Sequence, residues 1–109
     1  MAELLGLRPP DDRLGCLQDV HWALGAFGYF PTYALGNLYA AQLYDAWLRA
    51  EPQGEEDLAR GDTLGLLGWL RAQVHQPGYR LPSEELLRQA SGAGLSAAPF
   101  LAYLQRRYG

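Results

Sequence analysis

Apolar residues recur at helical spacing over most of the chain, and alternating runs long enough for a strand are absent. The longest amphipathic segment is predicted to begin at Pro31, whose fixed φ suits a first helical turn. It is predicted to end near Ala50, because Glu51-Pro52 follows. Its apolar face comprises Leu35, Leu38, Tyr39, Leu43, Ala46 and Trp47. The pattern predicts an all-α fold, a compact helical domain of about five to six helices.

Two shorter helices are predicted before residue 76. The first covers residues 54–61, with three acids in its first turn, where they favour the positive end of the helix dipole. Thr63 or Asp62 is predicted to cap the second, which ends near His75 before a Pro-Gly pair. His75 at this helix end is predicted to be solvent-exposed or to interact with the dipole.

The last two helices have clear start and stop signals. Pro82 is predicted to open one of them, and Gly92 lies just past its end. Ser96 is predicted to cap the other, with Pro99 in its first turn. Both assignments agree with the charges, because acids lie early in the first helix and two arginines lie late in the second.

Small residues within the helices suggest close contacts. Gly36 and Ala40 lie one turn apart and would let another helix approach. Gly65 and Gly68 are costly inside a helix, so they predict close packing there.

The first thirty residues are less regular. Residues 2–7 are predicted to hold the end of a helix, which stops before a proline pair. Asp11 or Asp12 is predicted to cap a short helix. Residues 23–30 contain glycines and aromatics without helical or strand periodicity, so they are predicted to be irregular and, being apolar, buried.

Composition limits the classes of function. A chain of 109 residues, 49% hydrophobic, predicts one modest core and a single domain over residues 1–109. A net charge of −3, without any lysine, argues against nucleic-acid binding. Apolar runs are too short to cross a bilayer, and Met1-Ala2-Glu3 lacks the positive charge of a secretory signal. A soluble, cytoplasmic protein is expected.

Amide, carboxylate, imidazole and phenol groups are concentrated between residues 15 and 33. They include Gln18, Asp19, His21, Tyr29 and Tyr33. The chain has two histidines and no His-Glu-x-x-His pair that could hold a metal ion. The segment is therefore typical of part of an active site.

The spacing of these residues carries a resemblance to a known family. Residues 15–22, G-x-x-Q-D-x-H-W, and residues 28–37, G-Y-F-P-T-Y-x-L-G-N, resemble the thermostable Taq-type metallocarboxypeptidases, cytosolic enzymes with a His-Glu-x-x-His motif. The likeness extends to Leu-Leu-Gly-Trp-Leu at 66–70, Pro-Ser-Glu-Glu-Leu at 82–86 and Pro-Phe-Leu-x-Tyr-Leu at 99–104. It implies that the chain corresponds to the C-terminal end of such an enzyme and lacks its metal-binding portion.

The resemblance implies a wholly helical enzyme that removes C-terminal amino acids from peptides with a zinc or cobalt ion. Such an ion would not be bound by this chain alone, so the chain alone is expected to be inactive and to meet peptide substrate only with the metal-bearing portion. His21 and Tyr29 are candidates for donors to the oxyanion, as a His and a downstream Tyr-Phe are in angiotensin-converting-enzyme-like peptidases. Gln18 and Asp19 would contact substrate or orient His21, whose tautomer Asp19 can fix.

Structural roles are the alternative for each of these residues. A histidine beside a tryptophan is commonly a hydrogen-bonded core residue, and Tyr29 could be a core aromatic. For Tyr33 and Tyr39 the core interpretation is preferred.

Two functional classes follow from the sequence. The chain is either a segment that assists a metal-bearing portion or a standalone, non-catalytic helical module that associates with itself or with the full-length enzyme. Loss of the covering N-terminal bulk would expose apolar faces, which predicts a homo-oligomer. A symmetric dimer through the Pro31–Ala50 helix or residues 23–30 is expected.

Overall fold

A computed structural model describes residues 2–109, except for the side chains of Leu4 and Leu5. Within that range the chain is helical and contains no strand, which confirms the predicted all-α class. The α-helices are α1 (Ala2–Leu5), α2 (Pro31–Ala50), α3 (Gly54–Ala59), α4 (Leu64–Leu70), α5 (Ser83–Ser91) and α6 (Ala98–Tyr108). A π-helical turn, Arg71–His75, continues α4, and short 3₁₀ helices occupy Asp12–Leu14, Cys16–Gln18 and Gly78–Arg80.

The chain forms two compact units. One extends as far as Tyr33, and the other runs from Ala34 to Gly109. The single domain expected from the length of the chain stays a prediction. No helix in the described part of the chain is both long and apolar enough to cross a membrane.

In the first unit the predicted cap is present. Asp11 Oδ1 accepts a hydrogen bond from the backbone N–H of Leu14 at 2.9 Å, at the start of the Asp12–Leu14 helix. The segment after Cys16–Gln18 consists of turns, so the irregular conformation predicted for residues 23–30 is confirmed.

The burial predicted for residues 23–30 is wrong. Leu24 is 79% exposed and Phe27 is 74% exposed. A unit of about thirty residues has too little volume to enclose its own apolar side chains. The sequence pattern reported the apolar character of the segment correctly, but it could not say whether anything covers it.

Helix α2 has the predicted bounds, and its C-terminal half forms the core of the second unit. Trp47 is 1% exposed, and Ala46 and the α5 residue Leu87 are also buried. Leu35, near the other end of the predicted apolar face, is exposed. The face predicted along the whole helix is therefore buried only over its later turns.

Gln42 is the buried polar residue of this core, at 4% exposure. Its Nε2 lies 2.9 Å from the carbonyl oxygen of Gly94 and 3.0 Å from Ser91 Oγ. Its Oε1 accepts a hydrogen bond from the backbone N–H of Ser96 at 2.9 Å. Because buried amides are stable only when hydrogen-bonded, the side chain ties α2 to the segment that joins α5 and α6.

That segment follows the prediction at Gly92 and departs from it by one residue at Ser96. Gly92 ends α5 with φ = 81°, a left-handed conformation that glycine adopts without strain. Ser96 Oγ accepts a hydrogen bond from the backbone N–H of Ala98 at 3.2 Å, where α6 begins. The predicted end of α5 is therefore confirmed, whereas the N-cap position of α6 is Ala97, one residue after the predicted Ser96.

The start of α4 also follows the prediction. Asp62 Oδ1 accepts a hydrogen bond from the backbone N–H of Leu64 at 3.0 Å. The helical segment continues through the π turn to His75, which is exposed as predicted.

Close packing at the helical glycines is not observed. Added Cβ atoms at Gly36, Gly65 and Gly68 would meet no described atom within 4 Å, so the prediction of close contacts there is wrong for this chain. All three glycines lie on exposed helix surface. Gly54 behaves differently, because a Cβ atom there would lie 2.5 Å from Trp47 Cη2.

Replacement of Gln42 tests the buried amide. Gln42→Ala removes the partners of Ser96 N–H and of the Gly94 carbonyl, so we expect it to lower the free energy of unfolding by about 1–3 kcal/mol. Urea denaturation followed by circular dichroism measures the change. Gln89→Ala, at an exposed position of α5, is the matched control and should change stability by about 0.5 kcal/mol or less. Equal effects of the two variants would contradict a structural role for the Gln42 amide.

A pair of glycine variants tests the contact at Gly54. Gly54→Ala forces the new methyl group into the Trp47 ring, so we expect a loss of about 1–3 kcal/mol in the free energy of unfolding. Gly65→Ala places the same group in open space inside a helix and should raise stability by about 0.5–1 kcal/mol. Thermal unfolding of both variants checks the signs, and a stabilised Gly54→Ala chain would refute the contact.

Candidate functional site

The candidate site is built around His21, in the first unit. Asp19 follows the Cys16–Gln18 helix in an extended conformation, and its carboxylate turns back onto the chain. Asp19 Oδ1 accepts a hydrogen bond from the backbone N–H of His21 at 2.9 Å. The same oxygen lies 2.5 Å from His21 Nδ1. One carboxylate oxygen therefore fixes both the backbone and the ring of His21.

These contacts determine the protonation of the pair. The backbone hydrogen bond from His21, followed by the bond from its ring, holds the pKa of Asp19 below the ordinary value of 3.8, and burial opposes them. Asp19 is therefore ionised at neutral pH and can only accept. The contact assigns the proton of a neutral His21 ring to Nδ1, and Asp19 can fix the tautomer as the sequence suggested.

Aromatic side chains from the following segment pack against the His21 ring. The ring centroid of Phe30 lies 4.8 Å away, and that of Tyr29 lies 5.4 Å away. Left-handed conformations at Gly25 (φ = 76°) and Gly28 (φ = 73°) return the chain toward His21. The expected approach of Tyr29 to His21 through a glycine-bent segment is therefore observed, although its catalytic role stays a prediction.

The hydroxyl group that contacts His21 belongs to Tyr33. Tyr33 Oη lies 3.1 Å from His21 Nε2. Tyr33 is 53% exposed, so the prediction that it is a core residue is wrong. It lies in the first turn of α2, outside the buried part of that helix. Its spacing of twelve residues from His21 gave no signal of contact, because an irregular segment separates the two.

Gln18 has a different local partner. Its Nε2 donates to the carbonyl oxygen of Arg13 at 2.6 Å, which ties the amide to the preceding turn. Its predicted contact with substrate, like that of Asp19, stays a prediction.

The site does not fit a zinc or cobalt ion. Among residues 2–109, no three His, Cys, Asp or Glu side chains come together as a metal-binding group. A structural or catalytic zinc site needs three or four such ligands, whereas the described partners of the His21 ring nitrogens are Asp19 and Tyr33. The chemistry that these residues can supply is hydrogen bonding and charge stabilisation.

The second unit contains an open groove of about 450 Å³ that the sequence did not reveal. Its walls come mainly from α2 and α6, with Tyr44, Phe100 and Tyr103 as aromatic walls and Glu55 and Arg106 as charged groups. Burial and the Glu55 carboxylate raise the pKa of the Tyr44 hydroxyl, and Arg106 opposes them. None of the predicted site residues lies in this groove.

Comparison with known proteins identifies the family. A sequence profile described as Carboxypeptidase Taq (M32) metallopeptidase matches residues 1–108. Thermostable carboxypeptidase 1 of Thermus thermophilus is 47% identical over 104 residues, which are 95% of this chain and 20% of that protein. Thermostable carboxypeptidase 1 of Pyrococcus furiosus is 41% identical over 99% of this chain and 22% of its own length.

Solved structures give the same result. The M32 carboxypeptidase of Deinococcus radiodurans R1 superimposes with a TM-score of 0.86 and 46% identity, over 99% of this chain and 22% of that one. Metallocarboxypeptidase 1 of Trypanosoma cruzi gives a TM-score of 0.86 and 42% identity, over 99% of this chain and 23% of that one. The chain spans about a fifth of the length of the curated relatives that it matches. Both the sequence and the fold therefore place this chain in the Carboxypeptidase Taq (M32) family of metallopeptidases.

Proposed function

We propose that this chain supplies transition-state and substrate contacts to a metallocarboxypeptidase that releases C-terminal amino acids from peptides. The observation that supports the proposal is the Asp19–His21 pair, which lies with Tyr29 in the segment that carries the family resemblance. The chain would perform this role only when it is joined to, or assembled with, a portion that carries zinc or cobalt.

The proposed chemistry rests on charge that develops during the reaction. Attack on a peptide carbonyl produces an oxyanion, and a donor already aimed at that charge can contribute roughly 10²–10³ in rate. His21 and Tyr29 are the proposed donors. Asp19 orients His21 for this role, because its ionised carboxylate holds the ring at Nδ1.

The isolated chain should be catalytically inactive. Polarising the carbonyl and activating water require an electrophile and a base, and the residues around His21 form no metal-ligand group within the described chain. The Gln18 and Asp19 contacts to substrate would likewise form only in the assembled enzyme.

A standalone module that associates with itself is the second candidate. Trp22, Leu24 and Phe27 are large apolar side chains that are exposed on the first unit. Apolar surface of this kind commonly marks an interface, which supports a homo-oligomer formed through residues 23–30 or through α2.

An assembly assay tests the catalytic role. We expect the purified chain to release no C-terminal residue from a peptide with zinc or cobalt present. Adding the separately expressed, metal-bearing portion of the Thermus thermophilus relative should restore release, measured by mass spectrometry. In the assembled enzyme, His21→Ala should lower kcat by roughly 10²–10³, because a donor to the oxyanion is lost.

The second histidine provides the matched control for that assay. His75 is exposed, and His75→Ala should leave kcat unchanged within about twofold. If the isolated chain released C-terminal residues and His21→Ala abolished that activity, the proposal that the chain needs a separate metal-bearing portion would be refuted. Equal losses in the two variants would remove His21 from the proposed chemistry.

Light scattering over a range of protein concentrations tests self-association. We expect dimers at high concentration, and Phe27→Ser should weaken them by about tenfold or more, because burial of a large aromatic side chain is lost. Leu101→Ser, at an exposed position of α6, is the control with a comparable change in polarity. A chain that stays monomeric at every concentration would contradict the proposed homo-oligomer.

A further inference from the structure

Both ring nitrogens of His21 have a partner of defined chemistry. Nδ1 faces the Asp19 carboxylate at 2.5 Å, and Nε2 faces the Tyr33 hydroxyl at 3.1 Å. The ionised carboxylate can only accept, so Nδ1 carries the proton of a neutral ring. Nε2 is then an acceptor, and the hydrogen bond at that nitrogen is donated by Tyr33.

Tyr33 and Tyr29 contact His21 in different ways. Tyr33 is nearly perpendicular to the imidazole, at 80°, and reaches Nε2 with its hydroxyl. Tyr29 lies at 33° to the imidazole and contributes a ring contact. The two tyrosine rings also pack edge to face, with centroids 5.4 Å apart.

The supports of the two tyrosines also differ. Tyr33 belongs to the first turn of α2, a helix of 20 residues, and its backbone N–H bonds to the Phe30 carbonyl at 3.0 Å. Tyr29 lies in the irregular segment after Gly28. A side chain carried by a helix is placed more accurately than one carried by a loop.

We propose that Asp19, His21 and Tyr33 form one hydrogen-bonded relay in which Tyr33 is a positioning residue that fixes the orientation of the His21 ring. The inference rests on the proposed function, because the ring must be held for the oxyanion that the assembled enzyme generates. When Nε2 becomes protonated, its N–H can be shared between the oxyanion and the Tyr33 hydroxyl, which then accepts instead of donating, so the ring keeps its place in both charge states. No covalent step is involved.

The relay can be measured in this chain without any activity. Nitrogen NMR of the chain labelled with ¹⁵N-histidine gives signals from His21 and His75 alone, and the exposed His75 serves as the internal reference. For the neutral ring, we expect Tyr33→Phe to move the His21 Nε2 signal downfield, because an acceptor nitrogen loses its hydrogen bond. Asp19→Asn should reduce the preference for the Nδ1–H tautomer.

Tyr29→Phe is the matched control in the same spectrum, since it removes a hydroxyl from the neighbouring ring and leaves the Nε2 contact intact. An unchanged His21 signal in Tyr33→Phe, or an equal change in Tyr29→Phe, overturns the relay. Both variants keep their aromatic rings, and circular dichroism verifies that their helices are retained.

The assembled enzyme tests the positioning role separately. We expect Tyr33→Phe to lower kcat by about five- to tenfold with little change in KM, as loss of one hydrogen bond would produce. Tyr79→Phe, at a fully exposed position, should leave both constants unchanged. A relay seen by NMR with an unchanged kcat in Tyr33→Phe overturns the positioning role. An assembly without any activity overturns the proposed function instead, while the NMR measurement still decides whether the relay exists.

Discussion

The side-chain amide of Gln42 is the interaction on which the second unit depends. Its two ends bond to groups between Ser91 and Ser96, so one residue of α2 positions the whole connection from α5 to α6. The apolar core beside it is small, with Trp47 and Leu87 as its largest fully buried side chains. In a core of this size, a buried polar group with satisfied partners contributes specificity, because few alternative packings could satisfy the same donors and acceptors.

The His21 cluster is organised on a different basis. Its side chains are partly or largely exposed, so its order comes from short-range hydrogen bonds and aromatic contacts rather than from burial. The Asp19 carboxylate holds His21 through two bonds, and the left-handed glycines at 25 and 28 bring the aromatic residues back to it. Such a cluster can have a defined geometry and still remain accessible from solvent.

The sequence predicted helix ends well because their signals are local. Pro31, Gly92 and Ser96 act within one turn of their own positions, and the structure places helix ends beside all three. Long-range contacts were harder to predict. Gln42 lies at helical spacing within the apolar face of α2, yet its partners are about fifty residues away, and nothing in the local pattern identified them.

The same limit applied to the candidate site. The Asp19–His21 contact involves residues two positions apart and was predictable. The position of the Tyr33 hydroxyl, in contrast, depends on the path of the irregular segment between His21 and Tyr33. Residues 23–30 were predicted to be buried because they are apolar, yet they are exposed. An apolar sequence favours burial but does not identify the polypeptide against which it would pack.

Gly54 and Trp47 illustrate how tightly positions on two successive helices can be coupled. The indole ring occupies the space that a side chain at position 54 would need, so the identity of one residue restricts the other. A substitution at only one of the two positions is disfavoured. A larger residue at position 54 has no room beside the indole, and a smaller residue at position 47 leaves a void in the core. A lineage that replaces the indole with a smaller ring would gain freedom at position 54, and the two positions should therefore change together during divergence.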